Sequence, residues 1–406
     1  MIDIKNKKIL FFSTDIVDLK LAKFFKKNGL EIICFHTNLL SYFLGKFIFK
    51  KNLISIKNKK IKYDSKIKEK AYKNFGYLSQ RLSLDECVEC YYSTISSLES
   101  FFIEEDYCFF IPSGRHMHHE AAKDYAEIHN IRCLYLNYSN IPGYIFLDPK
   151  GTDAKSLVYK NPNILDKYDI DNINANQIIL KFKTIKNNQS KLPQSKKNSY
   201  IKIVNYLFIL ERYLQFFFNT CSDRKIKKKY KFISNDFNHE YLSEIRHKNF
   251  AFFPLQITTD VQVLENYEKR SVYSAIEDAL IIAKKRGLPL YIKENPAEND
   301  KYTINKYLKN LLDNNKSEVF LIREVKVSNI IEKADLVITI NSTVGLESLL
   351  WGKETIFLGK SMYAKFNRIQ LAKYLNNYLV EFDYHKPTKI QNLVEKLNFY
   401  INLECT

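Results

Sequence analysis

Leu336-Val337-Ile338-Thr339-Ile340-Asn341-Ser342-Thr343-Val344-Gly345-Leu346-Glu347 decides the fold class of this chain. Leu336 to Ile340 is a continuous apolar run rich in β-branched residues, which reads as a strand buried on both faces. Asn341-Ser342-Thr343 ends it, and a helical pattern starts at once at Val344 and stops at Trp351-Gly352. A buried strand that feeds directly into a helix is the repeating unit of a parallel α/β sheet.

The same rhythm extends outward in both directions. Strands are expected over Asn249 to Leu255, Leu288 to Lys293, Val319 to Ile322 and Glu354 to Leu358. Helices are expected over Ser271 to Arg286 (closed by Gly287), Tyr302 to Asn314 and Val327 to Lys333. These predict a Rossmann-like domain over 249–366. The chain opens in the same way, with a strand over Lys8 to Ser13, a helix over Ile16 to Lys27 closed by Gly29, and a strand over Glu31 to Phe35. It resumes with a strand over Tyr107 to Ile111, a break at Pro112-Ser113-Gly114, a helix over His118 to His129 and a strand over Ile131 to Leu136. A first Rossmann-like domain over 1–160 follows.

The stretch 161–248 reads as linker and helical insertion. Asn and Lys dominate 181–199, Ile203 to Phe218 is aromatic and apolar, and Arg224 to Lys231 is a basic run. An amphipathic aromatic helix beside a basic cluster suits an anionic membrane surface, which makes 203–231 the expected membrane-facing segment. A core helix followed by a solvated basic face satisfies the same residues. The tail 367–406 is expected to be helical and to pack back on the first domain. The whole is an α/β protein: two Rossmann-like domains facing a cleft, the GT-B-like architecture of glycosyltransferases, with a basic helical insertion between them.

Composition bounds the rest. The chain has 406 residues, 46% of them hydrophobic, with only 10 Gly and 9 Pro, which suits two α/β domains and argues against an all-β protein. Its net charge of +18 calls for an anionic partner or a solvated basic surface. No zinc-finger, RRM or helix-turn-helix signature accompanies that charge, so no nucleic acid is expected. Met1 to Lys5 runs into a strand without a signal-peptide core, and no stretch reaches the ~18 apolar residues of a spanning helix. Seven scattered cysteines suit a reducing compartment, and Cys87 and Cys90 form a lone C-x-x-C without a second pair. The expectation is a cytoplasmic protein, peripheral on the inner face of the cytoplasmic membrane, with no metal and no cofactor.

Three segments carry chemistry. At Asn341-Ser342-Thr343 a strand end meets a helix start, where free N–H groups and two hydroxyls suit a phosphate; ordinary helix capping is satisfied by the same residues. At Tyr291-Ile292-Lys293-Glu294-Asn295-Pro296, a lysine leaves the carboxyl end of a strand, the edge where open α/β sheets take ligands. At Pro254-Leu255-Gln256-Ile257-Thr258-Thr259-Asp260-Val261-Gln262, a carboxylate and two amides follow the domain's first strand. Asp260 suits a nucleophile or base; on local grounds alone it reads as a turn residue.

Together these segments resemble the bacterial capsule polysaccharide synthesis family, which contains retaining β-Kdo transferases that use CMP-Kdo. That family's pattern runs P-L-Q…D-x-Q, then K-x-H-P, then N-S-T-x-G-x-E-x-L-x-x-G-K ending in L-G-x-x-x-Y. Here it reads Pro254-Leu255-Gln256 with Asp260 and Gln262, Lys293-Glu294-Asn295-Pro296, and Asn341 through Gly352-Lys353 with Leu358-Gly359 and Tyr363. Asn140-Ile141-Pro142-Gly143 and Asp148-Pro149-Lys150-Gly151-Thr152-Asp153-Ala154 are similar to its P-G-x-x-x-x-D-x-x-G-x-N-A stretch. Two positions depart: Asn295 stands where the family has His, and Asn137 where an acidic residue is frequent.

The resemblance implies a CMP-activated ulosonic acid as donor and a glycan or lipid-linked acceptor. It places Asp260 as the nucleophile of a double displacement, with Gln256 and Gln262 beside it. Lys293, Asn295, Pro296, Asn341, Ser342, Thr343, Glu347, Gly359 and Tyr363 fall on the donor side, with Glu347 toward the ribose. On the acceptor side stand Ser113, Gly114, Arg115 and His116 at a strand end, with Asn137, Pro142 and Gly143. The Asn295 departure keeps a nine-carbon donor such as CMP-pseudaminic, CMP-legionaminic or CMP-sialic acid in view. A non-catalytic capsule assembly or export factor binding lipid-linked glycan, and a two-domain sugar epimerase, are the alternatives from other classes.

Overall fold

The computed structural model describes residues 2–14, 16–54, 65–101, 106–188, 241–298, 300–315, 317–382 and 392–403. The expected membrane-facing stretch 203–231 lies outside them. The described residues fall into two compact units, one holding those up to Leu165 and from Asn376 onward, the other holding Asp166–Asn188 and those from 241 to Leu375.

The first unit is built on β1 (Lys8–Ser13), β2 (Glu31–His36), β3 (Asn52–Ile54), β4 (Tyr107–Pro112), β5 (Arg132–Tyr138) and β6 (Tyr144–Asp148). A two-residue strand, Val380–Glu381, completes a seven-stranded sheet in the order Val380–Glu381, β6, β5, β4, β1, β2, β3. The strands from β5 to β3 are mutually parallel, and β6 returns antiparallel to β5. Phe12, Phe35, Phe109 and Ile111 meet helix residues such as Leu98 and Tyr125 in the core on one face. The chain's ends are tied together within this unit. Asn398 and Asn402, from the Leu393–Ile401 helix, accept from the Ile4 and Ile2 amides at 2.7 Å each.

The second unit contains β7 (Tyr241–Leu242), β8 (Ala251–Pro254), β9 (Leu290–Lys293), β10 (Val319–Ile322), β11 (Leu336–Thr339) and β12 (Glu354–Phe357). All pairs are parallel, in the order β12, β11, β8, β9, β10, β7. Successive side chains point to opposite faces of a strand. Ala251, Phe253, Ile292 and Ile338 therefore pack under the Val272–Lys285 helix, while Phe252, Tyr291, Ile322 and Val337 join a second core with Ile330 and Ile331. Covering both faces is what makes these strands read as unbroken apolar runs.

Two elements differ from the sequence reading of 161–248 as linker and insertion. The Asn172–Asn187 helix and β7 both belong to the second unit. The helix buries Ala175, Ile179, Phe182 and Lys186, a stripe at spacings of four, three and four, against the Thr343–Leu350 and Arg368–Lys373 helices. A lysine in that stripe disguises it as a solvated segment. Cys87 and Cys90 are both fully buried in a helical core of the first unit. Among the described residues no cluster of three or more His, Cys, Asp or Glu is placed to hold a metal ion, and no helix is long and apolar enough to cross a membrane.

Candidate active site

Strand order locates the site in the second unit. From β8 the chain adds β9 and β10 on one side, then crosses back to place β11 and β12 on the other. The switch point lies between β8 and β11, and ligands of open α/β sheets bind beyond the carboxyl ends of the strands at such a point. The loop after β8 carries Gln256, Asp260 and Gln262; the loop after β11 carries Asn341 and Ser342.

Hydrogen bonds join these loops directly. The Asn341 amide donates to Gln256 Oε1 at 3.2 Å, and Asn341 Nδ2 donates to Gln262 Oε1 at 2.7 Å and to the Lys360 carbonyl at 3.2 Å. Asn266 Nδ2 also donates to Gln262 Oε1, at 2.6 Å. Gln256 and Asn341 are buried, so each of these polar groups needs its partner and the loops are held in register. Asp260 sits between the two glutamines. It caps the short Val261–Leu264 helix, accepting from the Gln262 amide at 2.9 Å, and remains half-buried. Glu298, which no motif marks, ties the loop after β8 to the loop after β9 by accepting from Thr258 N at 2.7 Å.

Ser342 is the N-cap of the Thr343–Leu350 helix. Its Oγ accepts from Val344 N at 3.1 Å and lies 3.0 Å from Thr339 Oγ1. Both Ser342 and Thr343 are half-buried, at a helix end where backbone donors and dipole favour an anion. The helix lies close to the sheet because Gly345 has no side chain: a Cβ there would come within 2.4 Å of the Phe357 ring. Gly359 is just as confined, since a Cβ would meet the Asn266 and Ile340 carbonyls at 3.0 Å, and the Lys360 amide donates to the Asn266 carbonyl at 2.7 Å.

The remaining donor-side residues have other partners. Glu347 forms an ion pair with Lys186 of the Asn172–Asn187 helix at 2.9 Å, where the lysine side chain is only 4% exposed. Lys183 of that helix stacks over Trp351, 4.7 Å from the ring centre. Lys293 donates to the Arg323 carbonyl at the end of β10, while Arg323 pairs with Glu294 at 3.2 Å. Burial, then the Arg323 charge, lowers the Lys293 pKa, against an upward pull from Glu294. Asn295 folds onto its own turn, accepting from Ala297 N at 3.0 Å, and Pro296 is exposed. Tyr363 is buried against the Phe366 and Tyr374 rings. Nothing in the sequence singled out Lys186, Asn266 or Glu298.

The first unit has its own switch point, between β1 and β4. Ser113 and Gly114, just past β4, both adopt positive φ, at 61° and 62°. A left-handed serine is costly enough to draw attention to the loop that holds it. The Ser113 amide donates to the Leu136 carbonyl at 2.7 Å, and Thr152 Oγ1 donates to the Ser113 carbonyl at 2.7 Å. Arg115 pairs with Asp153 at 2.7 Å, and His116 caps the Met117–Ile128 helix. Asn137, Pro142 and Gly143 lie at the same sheet edge, around the β5–β6 turn, where Gly143 takes φ 77°.

Behind this edge Asp148 is fully buried. It accepts from the amides of Lys150, Gly151, Leu157 and Val158 and from the Tyr378 hydroxyl at 2.9 Å. Burial raises its pKa, and these bonds oppose the rise. After β1, Thr14 donates to Asp18 through its amide and hydroxyl at 3.0 and 2.6 Å, and Asn38 Nδ2 donates to the Thr14 carbonyl at 2.8 Å. This polar cluster was missed in the sequence, although Ser13-Thr14 ends β1 much as Asn341-Ser342 follows β11.

Two α/β units, one of them with polar loops cross-linked at its switch point and a hydroxyl-capped helix beside them, are the setting in which open α/β sheets take ligands. Residues 111–366 match the family described as "Capsule polysaccharide biosynthesis protein", and the chain belongs to that family. By sequence it matches no curated protein. It is similar in structure to the beta Kdo 2,7 transferase of Thermosulfurimonas dismutans KpsC, at 14% identity and TM-score 0.44, covering 98% of this chain and 100% of that one. It is also similar to the beta Kdo 2,4 transferase of the same KpsC, at 15% identity and TM-score 0.39 over 71% of this chain and 86% of that one. A third similarity is to the S. aureus MnaA–UDP complex, at 14% identity and TM-score 0.28 over 98% and 97% of the two chains.

Proposed function

We propose that this capsule-biosynthesis protein is a glycosyltransferase. It moves a ulosonic acid, Kdo or a nonulosonic acid, from a CMP-activated donor to a glycan or lipid-linked acceptor, with retention by double displacement. The observation that carries the reading is Asn341, bonded to both glutamines that flank Asp260 while its neighbour Ser342 caps the helix. In support of the reading, a carboxylate and the N-terminal end of a hydroxyl-capped helix follow neighbouring strands.

In the first step an Asp260 oxygen attacks the anomeric carbon, the bond to phosphate breaks, and CMP leaves with the electron pair. Ser342, Thr343 and the helix N-terminus receive its charge. In the second step an acceptor hydroxyl attacks the same carbon, loses its proton to solvent or a base, and expels Asp260. Two inversions restore the starting configuration. Ser113, Gly114, Arg115 and His116, with Asn137, Pro142 and Gly143, form the acceptor side, and the reaction runs at the cytoplasmic face of the membrane, with 203–231 as a membrane-facing segment.

Asn295, which bonds within its own turn where the family pattern has His, favours a nonulosonic acid over Kdo as a second reading. Incubation with CMP-Kdo and with CMP-pseudaminic, CMP-legionaminic and CMP-sialic acid tests both. CMP release with one donor supports the proposal and identifies the sugar. Release with none of the four overturns it.

A further inference from the structure

We propose that the Leu39–Lys46 helix and the turn after it form a docking face for an anionic phospholipid bilayer. The helix is capped by Asn38, which accepts from Ser41 N, and its inner side is set by Leu39, Ser41 and Gly45. Gly45 lets it lie against β2: a Cβ there would come within 2.6 Å of His36 Nε2. With that side fixed, Phe43, Leu44 and Phe47 are turned outward. Phe43 and Phe47 stand at i and i+4, and Leu44 and Phe47 at i and i+3, the spacings that bring side chains together on a helix surface.

These three are exposed to 38%, 38% and 90% of their surface. The other large apolar side chains exposed among the described residues lie seven or more positions apart in sequence, so 43–47 is the densest run of them along the described chain. Lys46, Lys50 and Lys51 are exposed around it, while Phe49 is buried and Lys26 Nζ donates to the Ile48 carbonyl at 2.6 Å, which pins the turn. From 32 to 63 the sequence has seven lysines and no Asp or Glu.

Aromatic side chains interleaved with lysines match the two layers of a bilayer surface. The rings enter the headgroup boundary while the ammonium groups meet lipid phosphates. An acidic protein would be met by the lysines but would leave Phe47 with no apolar layer to enter, and a second copy of this basic face would be repelled. The bilayer satisfies both features. The face lies in the first unit, and its presence does not depend on the chemistry at Asp260.

The test is cosedimentation of the full chain with phosphatidylglycerol/phosphatidylcholine vesicles and with pure phosphatidylcholine vesicles. Wild-type protein should bind the anionic vesicles and lose binding as salt rises. Each lysine near such a surface contributes roughly five-fold to binding, so Lys46→Glu/Lys50→Glu/Lys51→Glu should reduce it by well over ten-fold. Phe43→Ser/Phe47→Ser should reduce it by at least ten-fold in low salt with an unchanged circular dichroism spectrum. Binding that both variants retain would place the contact elsewhere, on 203–231 for example, and overturn the proposal. So would absence of vesicle binding, or a concentration-dependent dimer that Phe47→Ser abolishes, which would assign the face to a second copy.

Discussion

Asn341 is the residue on which the site turns. Its side-chain amide reaches Gln262 and the Lys360 carbonyl while its backbone N–H reaches Gln256, so three loops meet at one residue. Asn341→Ala should lower kcat at least ten-fold and cost about 1 kcal/mol of stability for each of the two side-chain bonds it removes, to Gln262 and to the Lys360 carbonyl; chemical denaturation and initial rates measure the two effects separately. Asp260→Ala should abolish transfer while leaving CMP affinity within about two-fold, as isothermal titration reads it, since the residue acts on the sugar rather than on the nucleotide. His36 offers a prediction of another kind. Burial holds its pKa at about 4, against an ordinary 6.5. The unfolded chain therefore takes up a proton that the folded one refuses. Stability is intact above pH 6.5 and falls as pH drops toward 4, by about 3 kcal/mol across that window. In His36→Gln this part of the acid limb should vanish from pH-dependent unfolding curves.

At the scale of elements, the Thr343–Leu350 helix and the Asn172–Asn187 helix pack as a pair. Lys186 is buried and its charge is answered by Glu347, one turn from the Ser342 cap. Lys186→Met leaves that carboxylate without its cation, at a cost of about 3–5 kcal/mol, and adding Glu347→Gln should recover most of the loss. Equal urea midpoints for the single and double variants would contradict this coupling. The strand–helix rhythm was legible in the sequence because strands covered on both faces are unbroken apolar runs, and β1, β10 and the Val327–Lys333 helix begin and end where their patterns do. The Asn172–Asn187 helix was not legible. Its buried stripe includes Lys186, and only the tertiary partner Glu347 shows why a lysine belongs there. The motif segments around Gln256 and Asn341 could be read, but their mutual bonds could not, because register between loops 85 residues apart is set by the sheet.

At the scale of the molecule, each unit is an open α/β sheet with a polar edge at its switch point, and each edge begins with small hydroxyl residues after a buried strand. The first unit closes on itself through the chain ends. Removing residues 392–406 takes away Leu393, Leu397, Tyr400 and Ile401, all buried, together with the Asn398 and Asn402 clasps. That truncation should leave the first unit susceptible to limited proteolysis while CMP binding by the second persists.

The claim beneath all of this is that the loops after β8 and β11 form one nucleotide pocket. A crystal structure with CMP tests it most directly. The phosphate is expected within hydrogen-bond reach of Ser342 Oγ and the Thr343 amide, with Asp260 facing the side from which the sugar has left. CMP bound at any other edge, with Ser342 and Asp260 untouched, would contradict it.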